Sequence, residues 1–260
     1  MIDIRKLSVG YGARTVLGPF DSRIEAGTVT VLIGANGAGK STLLRTLAGV
    51  QQPLGGEVLY DDVNLHAGTT PRSRARLVSL VYSERNISAD LTIEEIVALG
   101  RQPYTGLFGN LSNDDRRIVA ESIATLGITH LAHRTAGTLS DGERQKALIA
   151  RALAQSTPVM LLDEPTSFLD AASRIDVMQQ LRRIAAEKRV AILLSTHDIA
   201  PALDVAHNLW VIERPARSIL CGSRAEVLST GAMDRVFDSA TVYFDERAGD
   251  YRGRSVTSPR

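Results

Sequence analysis

Residues 34–42 read GANGAGKST and follow an apolar run, VTVLI, at 29–33. Gly34, Gly37 and Gly39 let the backbone curl until successive N–H groups face one anion. Asn36 and Thr42 belong to the same cradle. Lys40 is spaced to reach the β- and γ-phosphates of a nucleotide, and the Ser41 hydroxyl to ligate Mg²⁺. The apolar run predicts a buried strand and residues 42–49 a helix, whose positive N-terminal end would face the phosphates. The competing reading is a glycine-rich turn with a chance lysine. The pattern GxxxxGK[ST] arises by accident in roughly one chain of this length in a hundred. A strand before it and a helix after it lower that figure, so the stretch points to a nucleoside triphosphate.

At 260 residues the chain can bury a full core, and one α/β domain with a subdomain is expected rather than two independent domains. A net charge of +1 carries no signature for nucleic acid or another polyanion. Cys221 is the single cysteine, which excludes an internal disulfide and suits a reducing compartment. No N-terminal segment has the charged-then-apolar form of a signal peptide. The longest apolar runs, such as 159–162 and 190–194, have four or five residues, against the ~20 needed to span a bilayer. Work at a membrane would therefore need a partner.

Residues 2–9 alternate apolar and polar, as in an edge strand packed on one face. Short apolar runs at 29–33, 77–81, 158–162, 190–194 and 209–212 read as buried strands of a largely parallel sheet. Residues 84–156 are almost entirely helical in pattern. Thr92 with Glu95, and Ser140 with Glu143, are capping boxes; Ser112 is a similar start and Gly127 a stop. The tail from about 245 predicts one hairpin followed by fraying.

Residues 159–164, VMLLDE, are a buried strand ending in two carboxylates. In a parallel sheet that end adjoins the phosphate loop. Asp163 would hold Mg²⁺, directly or through water, and Glu164 would accept a proton from the water attacking the γ-phosphate. Alone, the run could equally be a solvated strand end. Residues 139–145, LSDGERQ, open the next helix upstream. Ser140 as N-cap and the bare backbone of Gly142 would leave N–H groups for an anion; an isolated S-x-x-E would be only an ordinary cap.

Here that stretch resembles the signature motif of ATP-binding cassette (ABC) ATPases, LSDGE standing where the commonest form is LSGGQ. The resemblance runs through the order of motifs over roughly residues 1–235. DEPT at 163–166, SFLD at 167–170 and STHD at 195–198 match the family's acidic strand, D-loop and switch-histidine segments. The family implies an α/β fold: a P-loop NTPase (RecA-like) core with N-terminal antiparallel β strands and an inserted helical subdomain. The core would comprise about 1–83 and 157–235, the helical subdomain about 84–156, and the tail about 236–260. It also implies ATP and Mg²⁺ as cofactors, Tyr11 stacked on adenine, and His197 at the γ-phosphate. Tyr11 could instead be a half-buried edge aromatic, and His197 a satisfied core histidine. Two copies would close head to tail, each nucleotide lying between one phosphate loop and the partner's Ser140 helix, with Asp170 acting across the boundary.

Two departures stand out. Where the family carries a glutamine that senses Mg²⁺, this chain reads Tyr82, Ser83, Glu84; Ser83 takes the register, and Glu84 is the better oxygen ligand. Asp141 puts a carboxylate inside the signature. Finally, LGRQPY at 99–104 followed by TGLF at 105–108 resembles the ATPases of iron-siderophore, haem and cobalamin importers. That resemblance implies integral membrane permease subunits, a homodimer of ATPase subunits, an extracytoplasmic solute-binding protein, and a place on the cytoplasmic face of the inner membrane. The basic run 71–76 reads as a solvated helix face. Other classes are a soluble ABC ATPase of iron–sulfur assembly, translation or DNA repair, and a small-molecule kinase. A single cassette, the short span between Lys40 and Ser140, and Glu164 argue against the last three.

Overall fold

The computed structural model describes residues 1–82, 87–106, 108–213, 218–237 and 241–253. Ser83 and Glu84 therefore lie outside the described residues. The chain begins with the antiparallel strands β1 (Ile2–Tyr11) and β2 (Arg14–Ile24). Strand β3 (Val29–Ile33) leads through the glycine-rich loop into α1 (Lys40–Leu47). Strands β4 (Gly55–Tyr60) and β5 (Val63–Asn64) then complete a four-stranded sheet of order β2-β1-β4-β5. Strand β1 is thus an interior strand, not the edge strand its alternation suggested. Its neighbour β2 pairs through several register shifts, and such bulges erase the period-2 pattern that would have announced it.

After α2 (Pro71–Arg74) comes β6 (Val78–Val81). Three helices follow: α3 (Ile93–Ala98), α4 (Asn113–Thr125) and α5 (Asp141–Ala154), which pack on one another. The chain then alternates β7 (Val159–Asp163), α6 (Ala171–Lys188), β8 (Ala191–Thr196), α7 (Ile199–Val205) and β9 (Asn208–Ile212). Strand β10 (Ile219–Ser223), α8 (Arg224–Ser229) and the hairpin β11 (Val242–Asp245) with β12 (Asp250–Gly253) close the described chain. The central sheet has the order β10-β9-β3-β8-β7-β6 and is parallel except for β10.

Both faces of this sheet are covered, and its strands divide their side chains accordingly. Val29, Val31, Ile33, Met160, Leu162, Ile192 and Leu194 join the core beneath the helices. Leu32, Val159, Leu161, Ala191 and Leu193 join a second core against α1 and the antiparallel sheet. Each fully buried side chain of this size contributes about 1.5–3 kcal/mol. This is why the strands read as continuous apolar runs rather than alternating ones. Thr92, Ser112 and Ser140 each accept from the backbone three residues on and complete capping boxes with Glu95, Asp115 and Glu143.

The stretch LGRQPY proves to be a structural joint. Gly100 lies so close to α5 that a Cβ there would meet Arg151 O at 2.2 Å. Arg101 is buried, donating to Asp115 Oδ1 at 2.8 Å, Ala154 O at 2.7 Å and Ser156 Oγ at 3.0 Å. It thereby ties the end of α3 to the start of α4 and the end of α5. Its guanidinium also stacks on the Tyr104 ring, as does that of Arg76. Arg72 and Arg76 donate to the carbonyl of Pro103, and Arg72 to that of Thr105. The basic run is therefore not merely a solvated face: it clamps the loop at 103–105.

The Ser112 hydroxyl first, and Arg101 second, hold the Asp115 carboxyl down at about 2 against an ordinary 3.8. A carboxyl depressed by folding stabilises above its unfolded value, so this contribution should be lost as pH falls from 3.8 toward 2. Replacing Arg101→Ala should cost about 3–5 kcal/mol in urea denaturation at neutral pH, because Asp115 stays buried without its cation.

Candidate active site

Register brings the chemistry together. Ile33 at the end of β3 pairs with Thr196 of β8, and Ser195 pairs with Asp163 of β7. The segments that follow these three strands, 34–42, 163–164 and 195–198, thus emerge side by side at one edge of the sheet. Gly37 and Gly39 hold φ of 71° and 106°. A Cβ on Gly39 would come within 2.5 Å of Val16 Cγ1, so β2 packs directly on the loop. Gly39 caps α1 without a side chain, which leaves the helix N-terminus suited to an anion.

Lys40 is 94% buried, yet its side chain stays within the loop. Nζ donates to Gly34 O at 2.8 Å and to Ala35 O at 3.5 Å, and stands 3.7 Å from Glu164 Oε1. Residues 36–42, Tyr11, Arg14, Val16 and Glu164 line a cleft of about 460 Å³. A cavity of about 480 Å³ near Pro158 and Val190 has similar volume, but it opens at the other ends of the strands. None of the chemistry-bearing motifs line it, so volume does not select the site. Tyr11 is 54% exposed and its hydroxyl lies 3.1 Å from Thr42 Oγ1, presenting an open ring face beside the loop.

The two carboxylates differ sharply in surroundings. Asp163 is buried, and its Oδ1 accepts from Ser195 Oγ at 2.7 Å. Its Oδ2 has no hydrogen-bond partner among the described residues. Glu164 sits at φ 51°, in the left-handed region, with its N–H on Ser195 Oγ at 3.0 Å and Ser195 O at 3.1 Å. Its Oε2 accepts from Ser167 Oγ at 3.0 Å and lies 3.3 Å from His197 Nδ1. The His197 side chain is 56% exposed, so it is no core histidine. Asp198 accepts from Thr166 Oγ1 at 2.8 Å and from Arg174 Nη1 at 2.7 Å, pinning the segment that carries His197.

The donor set fits Mg²⁺. Ser41 on the cleft wall and the open oxygen of Asp163 are hard oxygen donors, and Mg²⁺ commonly takes one or two protein ligands plus phosphate and water. Among the described residues no three His, Cys, Asp or Glu side chains form a protein-only metal site.

Ser140, Gly142 and Asp170 are brought together, but away from this cleft. Ser140 caps α5, and its N–H and hydroxyl hold the Glu143 carboxyl below its usual range. A Cβ on Gly142 would lie 3.3 Å from Ser173 Oγ, beside the start of α6. There Asp170 accepts from Ser173 N at 2.8 Å, the chief cause of its lowered pKa. Asp141 is exposed, 3.9 Å from Arg144 Nη1. Phe168, two residues before Asp170, is 76% exposed at φ 69°. Residues that the sequence did not single out are Val16, Arg14, Ser167 and above all Ser195. Val16 and Arg14 lie on the bulged strand β2, whose pattern hides it. Ser195 sits inside a quoted motif, but only sheet register reveals what its hydroxyl touches.

Among the described residues no helix is long and apolar enough to cross a membrane. The ABC transporter family profile matches residues 17–167. The chain is 35% identical over 241 residues to the ferric enterobactin transport ATP-binding protein of Escherichia coli, covering 93% of this chain and 88% of that one. It is 33% identical over 247 residues to the iron(3+)-hydroxamate import ATP-binding protein of Bacillus subtilis, covering 95% and 91%. A dimeric bacterial ABC transporter cassette of known structure superposes with TM-score 0.70 at 26% identity, covering 81% and 93%. These relatives are transport ATPases, which does not favour a soluble role in iron–sulfur assembly. Phosphate loop, acidic strand, signature and matched length agree: this chain belongs to the ABC transporter family as an ATP-binding, ATP-hydrolysing subunit.

Proposed function

We propose that this subunit energises import of iron-siderophore, haem or cobalamin-type solutes. The observation that carries the reading is the likeness, over more than nine-tenths of the chain, to ATPases named for ferric enterobactin transport and iron(3+)-hydroxamate import. The resemblance of LGRQPY at 99–104 to the ATPases of such importers supports it. Its partners would be integral membrane permease subunits, a second copy of this chain and an extracytoplasmic solute-binding protein. The subunit would sit on the cytoplasmic face of the inner membrane, with helices of about 84–156 docking the permease.

The geometry supports the following catalytic roles. The nucleotide phosphates lie in the cradle of Gly34, Asn36, Gly37, Gly39 and Thr42, with adenine on Tyr11. Lys40 exchanges its carbonyl partners for the β- and γ-phosphates. That exchange takes the lysine away from Glu164, which leaves the carboxylate free to accept the proton of the attacking water. Ser167 and His197 fix its other oxygen, and His197 reaches the γ-phosphate. Ser41 and Asp163 would hold Mg²⁺, with Glu84, outside the described residues, as a further ligand in place of the family's glutamine; the ion would supply charge neutralisation at the phosphates. Ser140, Gly142 and Asp170 lie outside their own chain's cleft, which supports their acting on the partner's nucleotide in a two-fold sandwich.

Three outcomes test this. Lys40→Ala should abolish ATP hydrolysis and severely weaken ATP binding; retained turnover in the purified variant overturns the assignment of the loop. Glu164→Gln should still bind ATP while hydrolysis falls by about 10²-fold or more, and a nucleotide-bound dimer should appear in size-exclusion chromatography. For the import reading, affinity purification of the tagged chain from membranes should bring down a permease whose vesicles take up an iron-siderophore, haem or cobalamin only with ATP. Uptake of an unrelated solute class would refute it.

A further inference from the structure

One hydroxyl bridges the two residues proposed for hydrolysis, touching the Asp163 carboxylate and the Glu164 peptide N–H. Ser195 is fully buried in β8, in register with Asp163. Its Oγ donates to Asp163 Oδ1 at 2.7 Å and accepts from Glu164 N at 3.0 Å. A serine hydroxyl has one proton and two lone pairs. With the proton on a carboxylate and a lone pair on a peptide N–H, rotating the side chain would break both bonds in a site closed to water. Two other buried hydroxyls make the contrast. Thr46 Oγ1 and Ser122 Oγ each donate to a carbonyl one turn back in their own helix, at 3.0 Å and 2.8 Å. Those bonds serve only local satisfaction. The Ser195 bond is charge-assisted and joins two strands.

Two consequences follow. Fixing Oδ1 fixes the whole planar carboxylate of Asp163, so the direction of its open Oδ2 is set by Ser195. The second concerns Glu164, whose φ of 51° is uncommon for a residue with a side chain and persists only where its surroundings hold it. Its N–H is held twice, by the Oγ and the backbone oxygen of Ser195. This bend turns the Glu164 side chain back toward Lys40, Ser167 and His197.

We propose that Ser195 is a positioning residue for ATP hydrolysis, its hydroxyl aiming Asp163 Oδ2 at the nucleotide's Mg²⁺ and Glu164 at the attacking water. The proposal rests on the roles given above to Asp163 and Glu164. A serine that merely filled a buried slot would affect melting alone. A positioning serine affects the metal-dependent part of nucleotide binding and the turnover step separately.

The test uses the full chain with Ser195→Ala, Ser195→Cys and Ser195→Thr, each checked by thermal melting. The alanine and cysteine variants lose the strong donor at nearly constant size; threonine restores it. In Ser195→Ala and Ser195→Cys, kcat should fall about tenfold to hundredfold, the scale expected for one buried hydrogen-bond partner, with little change in KM. The Mg²⁺ concentration that half-saturates binding of a fluorescent ATP analogue should rise several-fold, while binding of the analogue in EDTA stays unchanged. Ser195→Thr, where it melts as the parent does, should recover both quantities. Wild-type kcat and Mg²⁺ dependence in the alanine and cysteine variants overturn the proposal. So does an equal loss of binding with and without Mg²⁺, which marks a purely structural role. A Glu164→Gln arm separates the two levels of argument. Normal turnover there refutes the base assignment but leaves the metal effect of Ser195→Ala standing. An inactive Glu164→Gln beside an unaffected Ser195→Ala refutes only the role of Ser195.

Discussion

The site depends on the in-register parallel pairing of three neighbouring strands, β3, β8 and β7. Ile33 lies opposite Thr196, and Ser195 opposite Asp163. Parallel pairing aligns strand ends of the same polarity, so the loops that follow must leave the sheet together. A slip of one residue would invert every side chain of a strand relative to both cores. Leu162 and Leu194 on one face, and Leu161 and Leu193 on the other, therefore lock the register with apolar burial. The hydrogen bond from Ser195 to Asp163 is a consequence of that lock.

Burial also explains the state of the lysine. A cation closed away from solvent needs partners, and the loop supplies them from its own carbonyls and from Glu164. Under the roles proposed above, the cation that would meet a triphosphate also stands beside the proposed base, so one side chain would couple anion binding to release of that base. The same economy appears in the helical block, where Arg101 meets Asp115, Ala154 and Ser156 at the junction of three helices. A bidentate, always-charged side chain suits such a junction better than lysine would.

The signature residues occupy a different surface. Ser140, Gly142 and Asp170 sit where α5 and α6 begin side by side, and Phe168, two residues before Asp170, is largely exposed. Capping explains the local structure of each helix start, but not why an aromatic is held in a left-handed conformation at the surface. In the two-fold sandwich proposed above, these residues would meet the partner's surface.

Several things were legible in the sequence alone, because each rests on contacts close in the chain. The phosphate loop needs only nine consecutive residues between a strand and a helix. The capping boxes at Thr92 and Ser140 need four. The buried strands announced themselves because both faces are covered, which leaves few polar positions. Other features were decided by tertiary structure, because they rest on groups far apart in sequence. Strand β2 hid behind its bulges, and the interior place of β1 followed from partners on both sides. Arg72 and Arg76 looked solvated until the loop at 103–105 was brought beneath them. Ser195 acquired its partners 32 and 31 residues away only through sheet register. Residue types and local spacing set what chemistry this chain carries; the pairing of distant strands, driven by burial of both sheet faces, decided which atoms meet.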